Sequence, residues 1–153
     1  MNSRPSDSKS DVITARPQDH TIEKMKTLNP NYVLVDTNFI YFTIKNKINL
    51  NTSLLNCLNS TAIPCVSECI LMELEKLGPK FKLALGYLKN RKIIKLCCFH
   101  SKDIIYADDC IFHTVNLYRY FIVATCDINL KKRIKKLTNS KLITIKKGKF
   151  ILI

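Results

Sequence analysis

Five carboxylates stand where an acid could do chemistry: Asp36, Glu73, Asp108, Asp109 and Asp127. Asp36 closes the apolar run Tyr32-Val33-Leu34-Val35 and is followed at once by Thr37-Asn38, so it sits where a buried strand gives way to a helix. Asp127 repeats that placement two residues beyond Phe121-Ile122-Val123-Ala124-Thr125. Glu73 lies in a run with helical period that starts at Ser67, and Asp108-Asp109 open a further helix leading towards the Asp127 strand. If the strands are neighbours, these acids converge. A cluster of this kind cannot stay ionised at neutral pH without raised pKa values or bound cations, and hard oxygen ligands with a water shell suit Mg²⁺ or Mn²⁺. Each acid also has a plainer use: Asp36 or Thr37 as a helix cap, Asp108 and Asp109 as partners of a helix dipole, Glu73 in solvent, Asp127 in a turn. The recurrence of strand-end and helix-start positions favours a metal site.

The elements that must position them follow from the pattern. Strands are expected at 32–35, 62–66, 93–97, 121–125 and 142–145, with a short hairpin partner at 150–153. Helices are expected from Phe39 to Ile44, around Leu54, Leu55 and Leu58, from Ser67 to Gly78, from Pro79 to Leu88, from Ala107 onward and from Asn129 to Leu137. Pro64 marks a strand start or an edge position, because proline cannot donate to a ladder. Alternating strand and helix predicts an α/β fold, a mainly parallel central sheet with helices on both faces. Residues 1–30, polar and carrying Pro5 and Pro17, read as a flexible tail, and 31–153 as one domain.

Charge narrows the partners. The chain has 25 Lys and Arg against 12 Asp and Glu, a net charge of +13, which favours an anionic partner such as nucleic acid. The helix from Asn129 to Leu137 carries Lys131, Lys132, Arg133, Lys135 and Lys136 as a basic strip suited to RNA phosphates. No apolar run approaches the roughly 20 residues of a membrane span, and there is no secretory pattern at the amino end, so an intracellular protein without a membrane partner is expected. In that setting seven cysteines are reduced thiols or metal ligands rather than disulfides. Cys69, Cys98, His100 and Cys110 supply the Cys₃His donor set of a closed structural zinc site; the alternative is that they are small buried hydrophobes. Cys57, Cys65, Cys97 and Cys126 read as core or incidental.

The stretches Val35-Asp36-Thr37-Asn38-Phe39, Met72-Glu73-Leu74-Glu75-Lys76-Leu77-Gly78, Tyr106-Ala107-Asp108-Asp109-Cys110 and Ala124-Thr125-Cys126-Asp127 resemble, in order, the four acidic motifs of PIN-domain nucleases. More narrowly, 31–145 resembles the eukaryotic rRNA-processing PIN proteins of the small-subunit processome, whose Cys and Cys-x-His pattern is also similar. The resemblance implies a Rossmann-like α/β/α fold, Mg²⁺- or Mn²⁺-dependent endoribonuclease activity on pre-rRNA, processome proteins as partners and a place in the nucleolus of the nucleus. It assigns Asp36 and Glu73 to the first two acidic positions, Asp127 to the last, and leaves the third open between Asp108 and Asp109. None of the expected acids is replaced, whereas a related, degenerate processome member has an incomplete set. The competing implication is an inactive PIN-fold scaffold that binds RNA and protein. The amino-terminal stretch is less basic than is usual in the family.

Overall fold

Strand β2 (Asn31–Val35) is the centre of the molecule. Val33, Leu34 and Val35 are each 0% exposed, and since successive strand side chains point to opposite faces, both faces of the sheet are covered here. The structure is a computed structural model and describes residues 12–13, 30–89, 93–98, 100 and 106–153. Around β2 run β1 (Val12–Ile13), β3 (Ala62–Ser67), β4 (Ile94–Leu96), β5 (Ile122–Ala124), β6 (Leu142–Lys146) and β7 (Lys149–Leu152). They form one seven-stranded sheet in the order β1-β4-β3-β2-β5-β6-β7. Every pairing is parallel except that of β6 with β7, a hairpin whose tight turn uses positive φ at Lys147 (52°) and Gly148 (75°).

The helices are α1 (Thr37–Lys45), α2 (Leu50–Leu58), α3 (Glu68–Lys76), α4 (Lys82–Lys89, after a 3₁₀ turn at Pro79–Phe81), α5 (Ala107–Leu117) and α6 (Ile128–Leu137). None of the described helices is long and apolar enough to cross a membrane. Phe39, Ile40, Leu54, Ile70, Leu74, Ile111, Leu130 and Ile134 bring their apolar stripes onto the sheet and complete one continuous core. Strand ends hand directly over to helices: Asp36 caps α1, Ser67 caps α3 and Asp127 caps α6, each side chain accepting from first-turn N–H groups. From β2 the chain builds outward through β3 and β4 on one side, then crosses to β5 and β6 on the other. The reversal of direction falls between β2 and β5, and in open α/β sheets the crevice at such a switch point is where ligands bind.

Two expectations change. Pro64 lies in the interior of β3, third in the strand, rather than at its start or on an edge. It is tolerated because it pairs with Val33 on one side while pairing to β4 on the other begins only at Cys65, so the ladder there has a single neighbour. Within 1–30, read as a tail, Val12–Ile13 pairs in parallel with Lys95–Leu96 and forms a short edge strand, while the remainder up to residue 29 lies outside the described residues.

Candidate active site and metal centre

Asp36 and Asp127 stand at the carboxyl ends of β2 and β5, which are direct parallel neighbours with Val35 opposite Ala124. Glu73 comes from the middle of α3 and Asp108 from the first turn of α5. All four face one cavity of 480 Å³, whose lining is completed by Thr37, Asn38, Tyr41, Phe42, Leu77 and Phe81. Hydroxyls and amides fix the carboxylates in place. Thr125 Oγ1 donates to Asp36 Oδ2 at 2.7 Å while the Thr37 N–H donates to Asp36 Oδ1 at 2.7 Å. Thr37 Oγ1 donates across the cavity to Glu73 Oε1 at 2.6 Å, so the first turn of α1 holds an acid of α3. Asp127 Oδ1 accepts from the N–H groups of Asn129 and Leu130, and its own N–H donates to Thr125 Oγ1. Asn38 Oδ1 accepts from the Cys126 N–H at 3.1 Å and so ties α1 to the β5 end. Capping and site-building are thus done by the same side chains.

Asp36 is the electrostatic centre. It is 5% exposed, and burial raises its carboxyl from 3.8 to about 6; hydrogen bonds from Thr125 and Thr37 oppose the rise, and Glu73 and Asp127 add to it. A buried acid beside two others is costly as an anion, and a bound divalent cation is the partner that would reverse the penalty. The donor set is oxygen only, which suits Mg²⁺ or Mn²⁺. Among the described residues the acids do not form a tight cage: the sole group of His, Cys, Asp or Glu ligand atoms lying within 4.8 Å of one another is Cys69, Cys98, His100 and Cys110. Mg²⁺ keeps several waters and takes one or two carboxylates directly, so an open acidic cavity fits it.

The Asp108-Asp109 pair divides. Asp108 lines the cavity and Asp109 does not. Asp109 Oδ1 instead accepts from Arg133 Nη1 of α6 at 2.6 Å, and the Arg133 guanidinium lies over the Phe112 ring at 4.4 Å. This engagement also alters the basic strip. Lys131 Nζ donates to Thr144 Oγ1 at 3.2 Å, whereas Lys132, Lys135 and Lys136 are exposed. The strip therefore offers solvent three exposed lysines, while the half-buried Lys131 and Arg133 engage Thr144 of β6 and Asp109 of α5.

Cys69 and Cys110 lie on the same two helices as Glu73 and Asp108. Cys98 Sγ is 3.5 Å from Cys69 Sγ and 3.5 Å from Cys110 Sγ, and Cys69 Sγ is 3.2 Å from His100 Nε2. A tetrahedron with Zn–S bonds of about 2.3 Å has edges of roughly 3.8 Å between sulfurs, so the donors are almost at liganding separations. Hydrogen bonding with Cys110 holds the Cys98 thiol down at about 5, the same interaction pushes Cys110 up, and burial raises Cys69 to about 11. Donor chemistry and spacing both fit zinc. Cys69 sits one turn before Glu73 on α3, and Cys110 one turn after the start of α5 near Asp108, so the cluster joins the two helices that carry cavity acids.

Comparison with known proteins decides the family. The Fcf1 family model matches residues 56–152. This chain belongs to the Fcf1 family. A mouse (Mus musculus) rRNA-processing protein FCF1 homolog is 45% identical over 108 residues, covering 71% of this chain and 54% of the mouse protein. The rRNA-processing protein FCF1 of Saccharomyces cerevisiae is 40% identical over 116 residues, covering 76% and 60% respectively. The chain thus spans little more than half the length of these curated relatives. The solved structure of the PIN domain endonuclease Utp24 superposes with a TM-score of 0.74 at 40% identity, covering 79% of this chain and 90% of that one. The fold of this Fcf1-family chain is accordingly the PIN fold, a mainly parallel α/β architecture.

Against that fold, the sequence reading missed the groups that hold the acids. Thr37 and Thr125 were legible as hydroxyls beside strand-end aspartates, but which carboxylate each serves depends on the adjacency of β2, β5 and α3. It also missed Tyr41, Phe42 and Phe81, whose placement in the acid cavity follows from α1 and the Pro79 turn meeting there.

Proposed function

We propose that the acid cavity is the active site of a divalent-metal-dependent endoribonuclease that acts on pre-rRNA in small-subunit biogenesis. The observation that carries this is the meeting of Asp36 and Asp127, from the ends of adjacent parallel strands, with Glu73 and Asp108 around one 480 Å³ cavity at the sheet's switch point. Mg²⁺ or Mn²⁺, when bound by Asp36, Glu73, Asp108 and Asp127, supplies Lewis acidity and a water nucleophile of lowered pKa. The chain's own residues then do the positioning. Thr125 and Thr37 aim the oxygens of Asp36, and Thr37 also orients Glu73. Asp127 is held by the amino end of α6. Lys132, Lys135 and Lys136 lie along the same helix, where they attract the phosphate backbone without reading sequence. The names carried by similar proteins, rRNA-processing protein and PIN domain endonuclease, support the same reading. A zinc ion on Cys69, Cys98, His100 and Cys110 would be structural, since four protein ligands leave no open position. The cellular setting that follows is the nucleolus, with processome proteins as partners.

The test is single-turnover cleavage of a single-stranded precursor-rRNA fragment in Mn²⁺. Internal scission that leaves 5′ phosphates is expected. Asp36→Asn should lower the rate by more than about a hundredfold, beyond the 10- to 100-fold that loss of a residue supporting a metal ligand typically costs, with RNA binding retained. Equal turnover by both proteins would remove the assignment and leave an RNA-binding scaffold.

A further inference from the structure

The cavity has a second wall, which the chemistry of metal and phosphate does not use. Besides the acids, the lining carries Tyr41 and Phe42 of α1, Leu77 at the end of α3 and Phe81 of the 3₁₀ turn. Tyr41 and Phe81 have ring centroids 5.0 Å apart at 47°, and Tyr41 and Phe42 lie 5.6 Å apart at 66°. Phe42, 36% exposed, and Leu77, 46% exposed, are not core side chains, while Tyr41 and Phe81 are half-buried beside them. Exposed apolar area rimmed by charge marks a binding surface.

The arrangement along α1 gives the wall a direction. Thr37 and Asn38 lie at the acids, Tyr41 and Phe42 follow one turn on, and Lys45 follows another turn on with its Nζ 6.0 Å from the centre of the Tyr41 ring. At 1.5 Å per residue the step from Thr37 to Tyr41 is about 6 Å and that from Thr37 to Lys45 about 12 Å. A single strand of RNA can present the same succession: a phosphate, a base offset from it by several ångströms, then a phosphate further along the strand. An acid-bound cation meets the first, an aromatic face the second and an ammonium the third.

We propose that Tyr41 and Phe42 form a stacking platform for the unpaired nucleobase adjacent to the phosphate held at the acids, which selects single-stranded RNA for this site. It rests on the RNA-nuclease reading above. A base inside a duplex is already stacked and paired and must unstack and break its pair to turn onto the rings, so paired RNA is disfavoured without any base-specific contact. Stacking on an aromatic side chain is tolerant of sequence, since every base has a π face, and changes affinity by roughly five- to a hundredfold per base.

The experiment compares a fluorescein-labelled oligoadenylate RNA with a ribose-phosphate oligomer of equal length that lacks bases. Binding is followed by anisotropy with Ca²⁺ in place of Mg²⁺, so that no turnover is needed. The parent protein should prefer the strand with bases by roughly five- to a hundredfold. Phe42→Ala and Tyr41→Leu should each shrink that preference by weakening only the strand with bases, while Tyr41→Phe, which keeps the ring, preserves it. Equal affinity of the parent for both strands, or equal weakening of both by the variants, overturns the platform. The two readings fail separately. A parent that discriminates the strands but never cleaves RNA keeps the platform and loses the nuclease, and one that cleaves yet binds both strands alike keeps the nuclease and loses the platform.

Discussion

Replacing Asp36 by Asn tests the electrostatics of the cavity through stability alone. The carboxyl is raised from 3.8 to about 6, chiefly by burial, so the folded state holds a proton more firmly than the unfolded chain does. The sign follows from that. Between about pH 4 and pH 6 the folded protein binds more protons, and stability must fall as pH rises through this window. Above it the ionised Asp36 costs about 3 kcal/mol, and below it nothing. Asn keeps the shape and still offers an acceptor and a donor to Thr37 and Thr125, without the charge. Without added divalent cation, the variant should therefore melt higher than the parent at pH 8, by roughly 6–12 °C for a chain of this size, and match it near pH 4. Thermal melts by circular dichroism across that range read the effect. Adding Mn²⁺ should close the gap at about a hundred times its Kd and invert the order at pH 8 at about a thousand times, where an ion bound only by the folded state stabilises by about 4.1 kcal/mol, and the variant lacks a ligand for it. A variant that melts below the parent at pH 8 without metal would refute the claim that Asp36 is held as a strained anion.

Three further outcomes are expected. Lys132, Lys135 and Lys136 changed together to Ala should weaken binding to all single-stranded RNAs alike and reduce the salt slope by about 2, given roughly 0.7 per phosphate contact on single strands; an unchanged slope moves the RNA path off α6. The milder Arg133→Ala should leave that slope nearly intact, because its guanidinium already serves Asp109 and Phe112. Cys98→Ser should abolish the content of about one zinc per chain found by elemental analysis, lower the melting temperature and reduce cleavage in a way excess Mg²⁺ does not restore. Parent protein free of zinc when prepared without chelator would return the thiols to the core.

Local signals carried much of the architecture. Val33, Leu34 and Val35 form an apolar run ending in an acid, and a fully buried strand followed by a capped helix is the economical way to satisfy it. Ser67, with Gly78 and Pro79 beyond, delimited α3 because caps and breakers act within a few residues. What escaped depends on residues distant in sequence. Nothing near Asp109 says that it will meet Arg133, since their pairing comes from the packing of α5 against α6. Pro64 was read by its missing N–H, and only the late start of β4 makes room for it inside the sheet. Val12–Ile13, two residues in polar surroundings, had no period to read, yet β4 offers it an edge. The acid set was legible because both strand ends repeat one pattern, while the aromatic wall was not, since Tyr41 and Phe42 looked like ordinary residues of a densely apolar helix.

The central claim is that the acids facing the cavity, and not merely acids near it, cut RNA. A circular single-stranded RNA, which has no ends, incubated with parent, Asp108→Asn and Asp109→Asn proteins in Mn²⁺ under single-turnover conditions tests this most directly. Linearisation by the parent and by Asp109→Asn, with a loss of more than about a hundredfold for Asp108→Asn, is the predicted result. Linearisation at the same rate by all three proteins, or by none, would contradict it.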